Sequence, residues 1–321
     1  MRALVTGAAG FVGSTLSQRL ASDGYEVVAI DSLTPYYDES QKRMNLQAVT
    51  ATPGCDVIVD DLRTIDVARL LERVDVVFHQ AGQPGVRASW DAGFAAYVDQ
   101  NVLVTQRLLE AARGASLTRF VFASSSSVYG DAPRYPTVED DLPRPQSPYG
   151  VTKLAAEHLA GVYARNFGVP TVSLRYFTVY GPRQRPDMAI HRLFEAALDG
   201  DPFPMFGDGS QIRDFTFVDD VIAANVGAAI ADVEPGTVVN VCGGSSTTLL
   251  ELARFVGEIV GCEVVLDRRP AEPGDVFRTG GSGARAEELF GWRPVVDVAE
   301  GLRRQGEWHI GRRGTDQPVA R

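Results

Sequence analysis

One stretch near the N-terminus constrains this chain more than any other: Thr6-Gly7-Ala8-Ala9-Gly10-Phe11-Val12-Gly13. A short apolar run, Arg2 to Val5, leads into it, and a helical pattern through Phe11, Val12, Leu16 and Leu20 leads out. In a strand–turn–helix context, missing side chains let the backbone close on a diphosphate. The following helix adds N–H donors and the positive end of its dipole. Gly7, Gly10, Phe11, Val12 and Gly13 are therefore expected to hold a dinucleotide.

A second apolar run, Glu26 to Ile30, ends in Asp31. An acid about twenty positions past the glycines suits the adenosine ribose hydroxyls and repels a 2′-phosphate, which predicts NAD rather than NADP. Strands are also expected from Val57 to Val59, leading into Asp60, Asp61 and Leu62, and from Val74 to His79, leading into Gln80-Ala81-Gly82. Asp61 and Leu62 are placed at the adenine edge, and the small-residue turn Gln80, Ala81, Gly82 close to the cofactor. His79 is read as packing, not as a base.

The strand–helix alternation continues to about residue 175, the pattern of an α/β, Rossmann-type doubly wound parallel sheet. After Tyr176 the chain turns to Pro-rich loops and shorter elements. The expected division is a NAD-binding domain at 1–175 plus about 207–235, and a smaller discontinuous α/β substrate lobe at about 176–206 plus 236–310. Residues 314–321 are expected as a flexible tail.

Two further stretches carry chemistry: Ser124-Ser125-Ser126-Ser127-Val128-Tyr129-Gly130 and Tyr149-Gly150-Val151-Thr152-Lys153. A Tyr and a Lys four apart share a helix face. The ammonium can hold the phenol as phenolate, below its usual pKa of about 10. Beside a nicotinamide, a phenolate is a base for an alcohol whose carbon gives up hydride.

Composition removes other classes. With a formal net charge of −10 over 321 residues, the chain is a poor partner for nucleic acid or an anionic membrane surface. Cys55, Cys242 and Cys262 are odd in number and show no CxxC, so neither a disulfide framework nor a metal site is expected. No long apolar run or signal-like start appears, and a soluble cytoplasmic protein is the expectation.

The motif order TGxxGxxG, SSSSVYG, YxxxK, RYFxVYGPRQRPD, FGDGxxxRDF and PGDV resembles the NAD-dependent sugar epimerase/dehydratase family of the extended short-chain dehydrogenases, over roughly residues 1–310. That resemblance implies Tyr149 as base, Lys153 on the nicotinamide ribose and tuning Tyr149, and Ser125 on the reacting oxygen. Asn101, Ser124 and Tyr176 join the implied cofactor set. The implied substrate is a UDP-sugar, met by Arg87, Ser125, Ser126, Ser127, Tyr149, Thr178, Arg185, Phe206, Arg213 and Asp275. Arg278 is a further anion candidate. For Arg213 the plain alternative is a surface ion pair with Asp214. His191 is left open.

Dehydratases of this family typically carry an Asp-Glu pair where this chain has Ser126-Ser127, and serines do not titrate near neutrality. What remains is 4-epimerisation through a 4-keto sugar with the cofactor regenerated in each cycle. The runs 124–130 and 178–188 resemble UDP-glucuronate 4-epimerases most closely, with UDP-galacturonate as product. Ser126, Ser127 and Thr178 could hold the C6 carboxylate. A UDP-glucose or UDP-N-acetylglucosamine 4-epimerase and a UDP-glucuronate decarboxylase stay open. So does a catalytically idle sensor, whose mark would be a broken Tyr149/Lys153 pair. A homodimer through Val102, Leu103, Leu108 and Leu109 with Leu154 to Leu159 is implied by the family. Past Arg278 the chain departs from its relatives, and the glycines at 280–283 suggest a loose loop.

Overall fold

A computed structural model describes residues 1–270 and 276–315. The first half alternates β1 (Arg2–Thr6), α1 (Phe11–Ser22), β2 (Glu26–Asp31), α2 (Glu39–Thr50), β3 (Cys55–Val59), α3 (Val67–Leu70) and β4 (Val76–His79). It continues with α4 (Phe94–Tyr97), α5 (Val104–Ala112), β5 (Arg119–Ser125), α6 (Pro148–Phe167) and β6 (Thr171–Tyr176). The apolar runs β4 and β5 are buried along their whole length, as strands covered by helices on both faces must be.

The second half holds β7 (Thr178–Tyr180), α7 (Ala189–Asp199), β8 (Phe203–Phe206), β9 (Ile212–Arg213), β10 (Phe215–Phe217), α8 (Val218–Ile230) and β11 (Thr237–Val241). It ends with β12 (Thr247–Thr248), α9 (Leu249–Val260), β13 (Leu266–Arg269), α10 (Ala284–Phe290) and α11 (Val298–Thr315). The central sheet has seven strands in the order β11-β6-β5-β4-β1-β2-β3, every neighbouring pair parallel. Strand order reverses between β1 and β4, and a cleft opens outside the strand ends at such a point. Three two-stranded pairs, β7 with β10, β8 with β13 and β9 with β12, frame the smaller lobe.

Three boundaries move. The run Thr237–Val241, expected in the substrate lobe, pairs with β6 as the seventh strand of the main sheet. Its Val and Asn side chains from 239 to 241 are buried there, and an apolar β-branched run is most stable where a sheet edge can take it. Segment 207–217, expected with the sheet, instead pairs with β7 and β12 of the lobe. α11 runs to Thr315, into the expected tail, and residues 316–321 lie outside the described part.

The glycine loop after Arg278 is pinned rather than loose. Thr137 donates to Gly280 O at 2.8 Å and Ser282 N donates to Thr137 O at 2.9 Å. Gly281 lies against the Phe177 ring so closely that a Cβ would sit 2.4 Å from it. Glycine serves close packing here. The expected dimer face also changes: Leu108 and Leu109 are fully buried against the chain's own sheet, while Leu103 is 50% exposed. A helix beside a sheet turns its most apolar residues inward.

Candidate active site

A cleft of about 710 Å³ runs along the carboxyl ends of β1, β2, β4, β5 and β6 and under the smaller lobe. Its dinucleotide end is made of backbone. Gly7 has φ +70°, and a Cβ on Gly13 would lie 2.1 Å from Gly7 O, so the turn closes only without side chains. α1 is preceded by Gly10, which offers no side-chain cap and so leaves the first-turn N–H groups for an anion. Asp31 ends β2 and accepts from Ala9 N at 3.0 Å and Leu33 N at 2.8 Å, fixing its carboxylate at the cleft wall. These features fit a dinucleotide diphosphate and a 2′-hydroxyl ribose. Phe11, Val12, Asp61, Leu62, Gln80, Ala81 and Gly82 line the same end.

The reacting centre is set by the start of α6. Ser147 accepts from Gly150 N at 3.1 Å, and Pro148 begins the helix. A Cβ on Gly150 would sit 2.6 Å from Ser127 O, so this glycine lets the first turn touch the turn after β5. Tyr149 is thereby brought to Ser125, whose hydroxyl hydrogen-bonds the phenol and also accepts from Ser127 N at 3.1 Å. Lys153, one turn on, is 7% exposed and lies over the Phe122 ring, 4.9 Å from its centroid.

Burial raises the Tyr149 phenol above its ordinary value; the Ser125 hydrogen bond and the Arg185 guanidinium pull it back. The Arg185 guanidinium thus joins Lys153, one turn along α6 from Tyr149, as a second cation at this end of the cleft. Burial of the Lys153 ammonium pushes it down to about 8, against the opposing pull of Glu157. Arg185 reaches the site from the loop before α7, gripped by Asp187 at 2.9 Å through both Nε and Nη2. His191 supports that loop: its Nδ1 bonds Gln184 O at 2.7 Å, and its backbone N–H bonds Gln184 Oε1 at 2.9 Å. His79 is fully buried, with Thr6 at 2.8 Å on Nδ1 and Thr105 at 2.9 Å on Nε2; burial lowers it to about 3.

At the sugar end Ser126, Ser127, Thr178, Arg87, Phe206 and Arg213 all line the cleft. The Arg87 guanidinium stacks on Phe206, 4.2 Å from the ring centroid. Arg213 donates to Ile212 O and Phe277 O, while Asp214 accepts from Gly243 N and Gly281 N, so a simple surface pair is not what these two form. Arg278 lies over the Tyr135 ring and is not in the cleft lining. Asp275 lies outside the described residues.

Ser124 and Tyr176 also line the cleft; the Tyr176 hydroxyl donates to Asn225 Oδ1 at 2.8 Å. Asn101 does not line it. Its Oδ1 accepts from Gln83 N at 2.7 Å and its Nδ2 donates to Thr152 Oγ1 at 3.0 Å, so it ties the turn after β4 to α6. Sequence reasoning passed over Thr34, Tyr37 and Lys42, which line the cleft beyond Asp31, and Tyr36 and Asp187, which line it beside Arg185. The aromatic pair after Asp31 and the Arg-Pro-Asp run were the available signals.

The model of the "NAD dependent epimerase/dehydratase family" matches residues 3–242. The chain is 41% identical over 303 residues to the "Uncharacterized UDP-glucose epimerase YtcB" of Bacillus subtilis (strain 168), covering 94% of this chain and 96% of that protein. It is 35% identical to a "Probable UDP-glucuronate 4-epimerase" of Rhizobium meliloti (strain 1021), over 96% of this chain and 97% of the relative. Among solved structures it is similar to the Bacillus cereus UDP-glucuronic acid 4-epimerase in complex with UDP-glucuronic acid and NAD. That match has 42% identity and a TM-score of 0.94, over 97% of this chain and 99% of the other. The chain belongs to the NAD-dependent epimerase/dehydratase family. It is an enzyme that uses NAD on a nucleotide sugar.

Proposed function

We propose that this chain is a UDP-glucuronate 4-epimerase that interconverts UDP-glucuronate and UDP-galacturonate with NAD retained throughout. The observation that carries this reading is the wall beside Tyr149. It is made of the hydroxyls of Ser126, Ser127 and Thr178 with Arg185 in the same lining, and it presents no carboxylate at 126 or 127. Bound NAD supplies the hydride acceptor and donor at C4. Tyr149 removes the O4 proton and later returns it, Ser125 hydrogen-bonds O4, and Lys153 keeps positive charge beside the phenolate. Without an acid–base pair at 126–127, the 4-keto sugar is not dehydrated. It is also a β-keto acid, and it loses CO₂ when its carboxylate turns perpendicular to the carbonyl. Several hydroxyl donors holding that carboxylate near the carbonyl plane suppress the loss. Arg213 and Arg87 suit the diphosphate by their fork geometry, with Phe206 at the uracil.

A UDP-glucose 4-epimerase is the second reading, supported by the same hydroxyls, which also suit a neutral hexose, and by the name of the Bacillus subtilis relative. An NMR time course with UDP-glucuronate and no added cofactor tests the choice. UDP-galacturonate without a UDP-pentose supports the proposal. UDP-xylose or a 4-keto-pentose means decarboxylation and overturns it, and no change moves the assignment to UDP-glucose or UDP-N-acetylglucosamine.

The enzyme's assembly and setting are part of the same reading. A homodimer would use α6 and the segment just before α5, where Val151, Val162, Phe167 and Leu103 are exposed; a single-chain mass in solution would remove it. Among the described residues no helix is long and apolar enough to cross a membrane. The three free thiols and the use of NAD favour the cytoplasm.

A further inference from the structure

Directly behind the Tyr149/Lys153 pair runs a buried string of charged groups that the reaction above does not use. Glu157 stands one turn beyond Lys153 on α6, and Arg175 near the end of β6; each is 4% exposed. Arg175 grips Glu157 in a fork, Nη2 to Oε1 at 2.7 Å and Nε to Oε2 at 3.0 Å. Ser124, the residue before Ser125, donates to Glu157 Oε2 at 2.6 Å. On the far side Arg175 Nη1 donates to Tyr129 Oη at 2.7 Å and to Glu139 O at 3.2 Å. Tyr129 Oη in turn donates to Asn240 Oδ1 at 2.7 Å.

A buried pair like this is weak evidence of stabilisation, because well-packed apolar side chains of similar size often do as well or better. Its position has a functional consequence instead. Facing Lys153 are Tyr149 and Glu157 from α6, the Phe122 ring from β5, and His79 from β4, which burial keeps neutral. Among the described residues no carboxylate forms a direct ion pair with Lys153, so its countercharge is Glu157 at one helical turn. Arg175, held by the same carboxylate, sets how much of that charge Lys153 feels.

We propose that Glu157 is a positioning residue for epimerisation: its carboxylate, balanced by Arg175, keeps Lys153 charged beside Tyr149 and fixes the strand end that carries Ser125. The proposal rests on the assignment of Tyr149 as base and Lys153 as its partner. It predicts that substitutions at the two ends of one ion pair move a pH profile in opposite directions, which loss of structure does not do.

The test is kcat against pH for Glu157→Gln and Arg175→Met, with Tyr149→Phe alongside. Without the carboxylate, the alkaline limb moves down by roughly one pH unit, the scale of a nearby countercharge. Without the guanidinium, Glu157 acts on Lys153 unopposed and the limb moves up. KM stays within roughly twofold in both, because neither residue meets the sugar. Should a single variant not fold, the double Glu157→Gln/Arg175→Met, which buries no lone charge, takes its place; its limb moves down by a smaller amount. Limbs at the wild-type pH, with Tyr149→Phe inactive, overturn the role of Glu157 alone. Near-normal turnover by Tyr149→Phe overturns the base assignment, and the Glu157 proposal falls with it.

Discussion

At the dinucleotide end of the cleft one continuous stretch, Gly7 to Gly13, forms the cradle. At the sugar end the lining comes from scattered segments: Ser126 and Ser127 after β5, Thr178 on β7, Arg185 before α7, Phe206 on β8 and Arg213 on β9. The first end works through backbone and the absence of Cβ atoms. The second works through side-chain chemistry. A cradle of that kind answers to added atoms almost as a switch, whereas a hydroxyl wall can be retuned one group at a time.

Tyr149 lies where the two ends meet, and its loss separates them most sharply. Tyr149→Phe is expected to lower kcat by several kcal/mol of barrier, on the order of a thousand-fold or more, while bound NAD is retained. NAD content of the purified variant and turnover by NMR check both halves. Loss of NAD together with activity would mean that the ends are not separable at this residue.

Gly13→Ala probes the cradle. The new Cβ meets Gly7 O, a backbone atom that cannot step aside, so overpacking of about 1–3 kcal/mol falls on the turn itself. NAD affinity should drop roughly ten- to hundred-fold, read by titrating the stripped protein. A variant that binds NAD normally would show that the turn yields.

Ser127→Glu probes the sugar end. A carboxylate there repels a sugar acid but not a neutral hexose, so KM for UDP-glucuronate should rise by roughly tenfold more than KM for UDP-glucose. Equal effects on the two would remove the carboxylate from this wall.

Glu195→Gln lies away from both ends and should affect only the fold. Glu195 on α7 accepts from His309 Nδ1 at 2.5 Å and from Arg313 Nη2 at 2.8 Å, both on α11. The His309 hydrogen bond is the main cause that brings its carboxyl down to about 2 from an ordinary 4.5. A folded value below the unfolded one gives stability that is present above pH 4.5 and lost as pH falls through about 2. Solvent at the half-exposed carboxylate screens this to about 1 kcal/mol. The melting temperature at pH 7 should drop by about 2 °C, with the gap closing below pH 3 and turnover unchanged.

Much of the fold was legible because its rules are local. Apolar runs, glycine turns and helix starts act within a few residues, so β1, β2 and α1 could be read from the chain, as could the shared face of Tyr149 and Lys153. The errors share one cause. Thr237–Val241 reads equally as a lobe strand or a sheet strand, and only the free edge beside β6 decides. Leu108 and Leu109 read equally as a dimer face or a core face. Asn101 reads as a cofactor ligand until its amide is seen holding the Gln83 turn to α6.

Spacing along the chain was enough to announce a dinucleotide cradle and a Tyr/Lys pair, since each depends on residues close together in sequence, while the hydroxyls at 126 and 127 were read through the family resemblance. Which charges act on which groups was settled by folding. Arg185, expected to meet substrate, lines the cleft and also acts on the Tyr149 phenol. Glu157 sits four residues from Lys153, but its partner Arg175 comes from another strand. Electrostatic influence depends on distance through space and on burial, and neither is written in the order of residues.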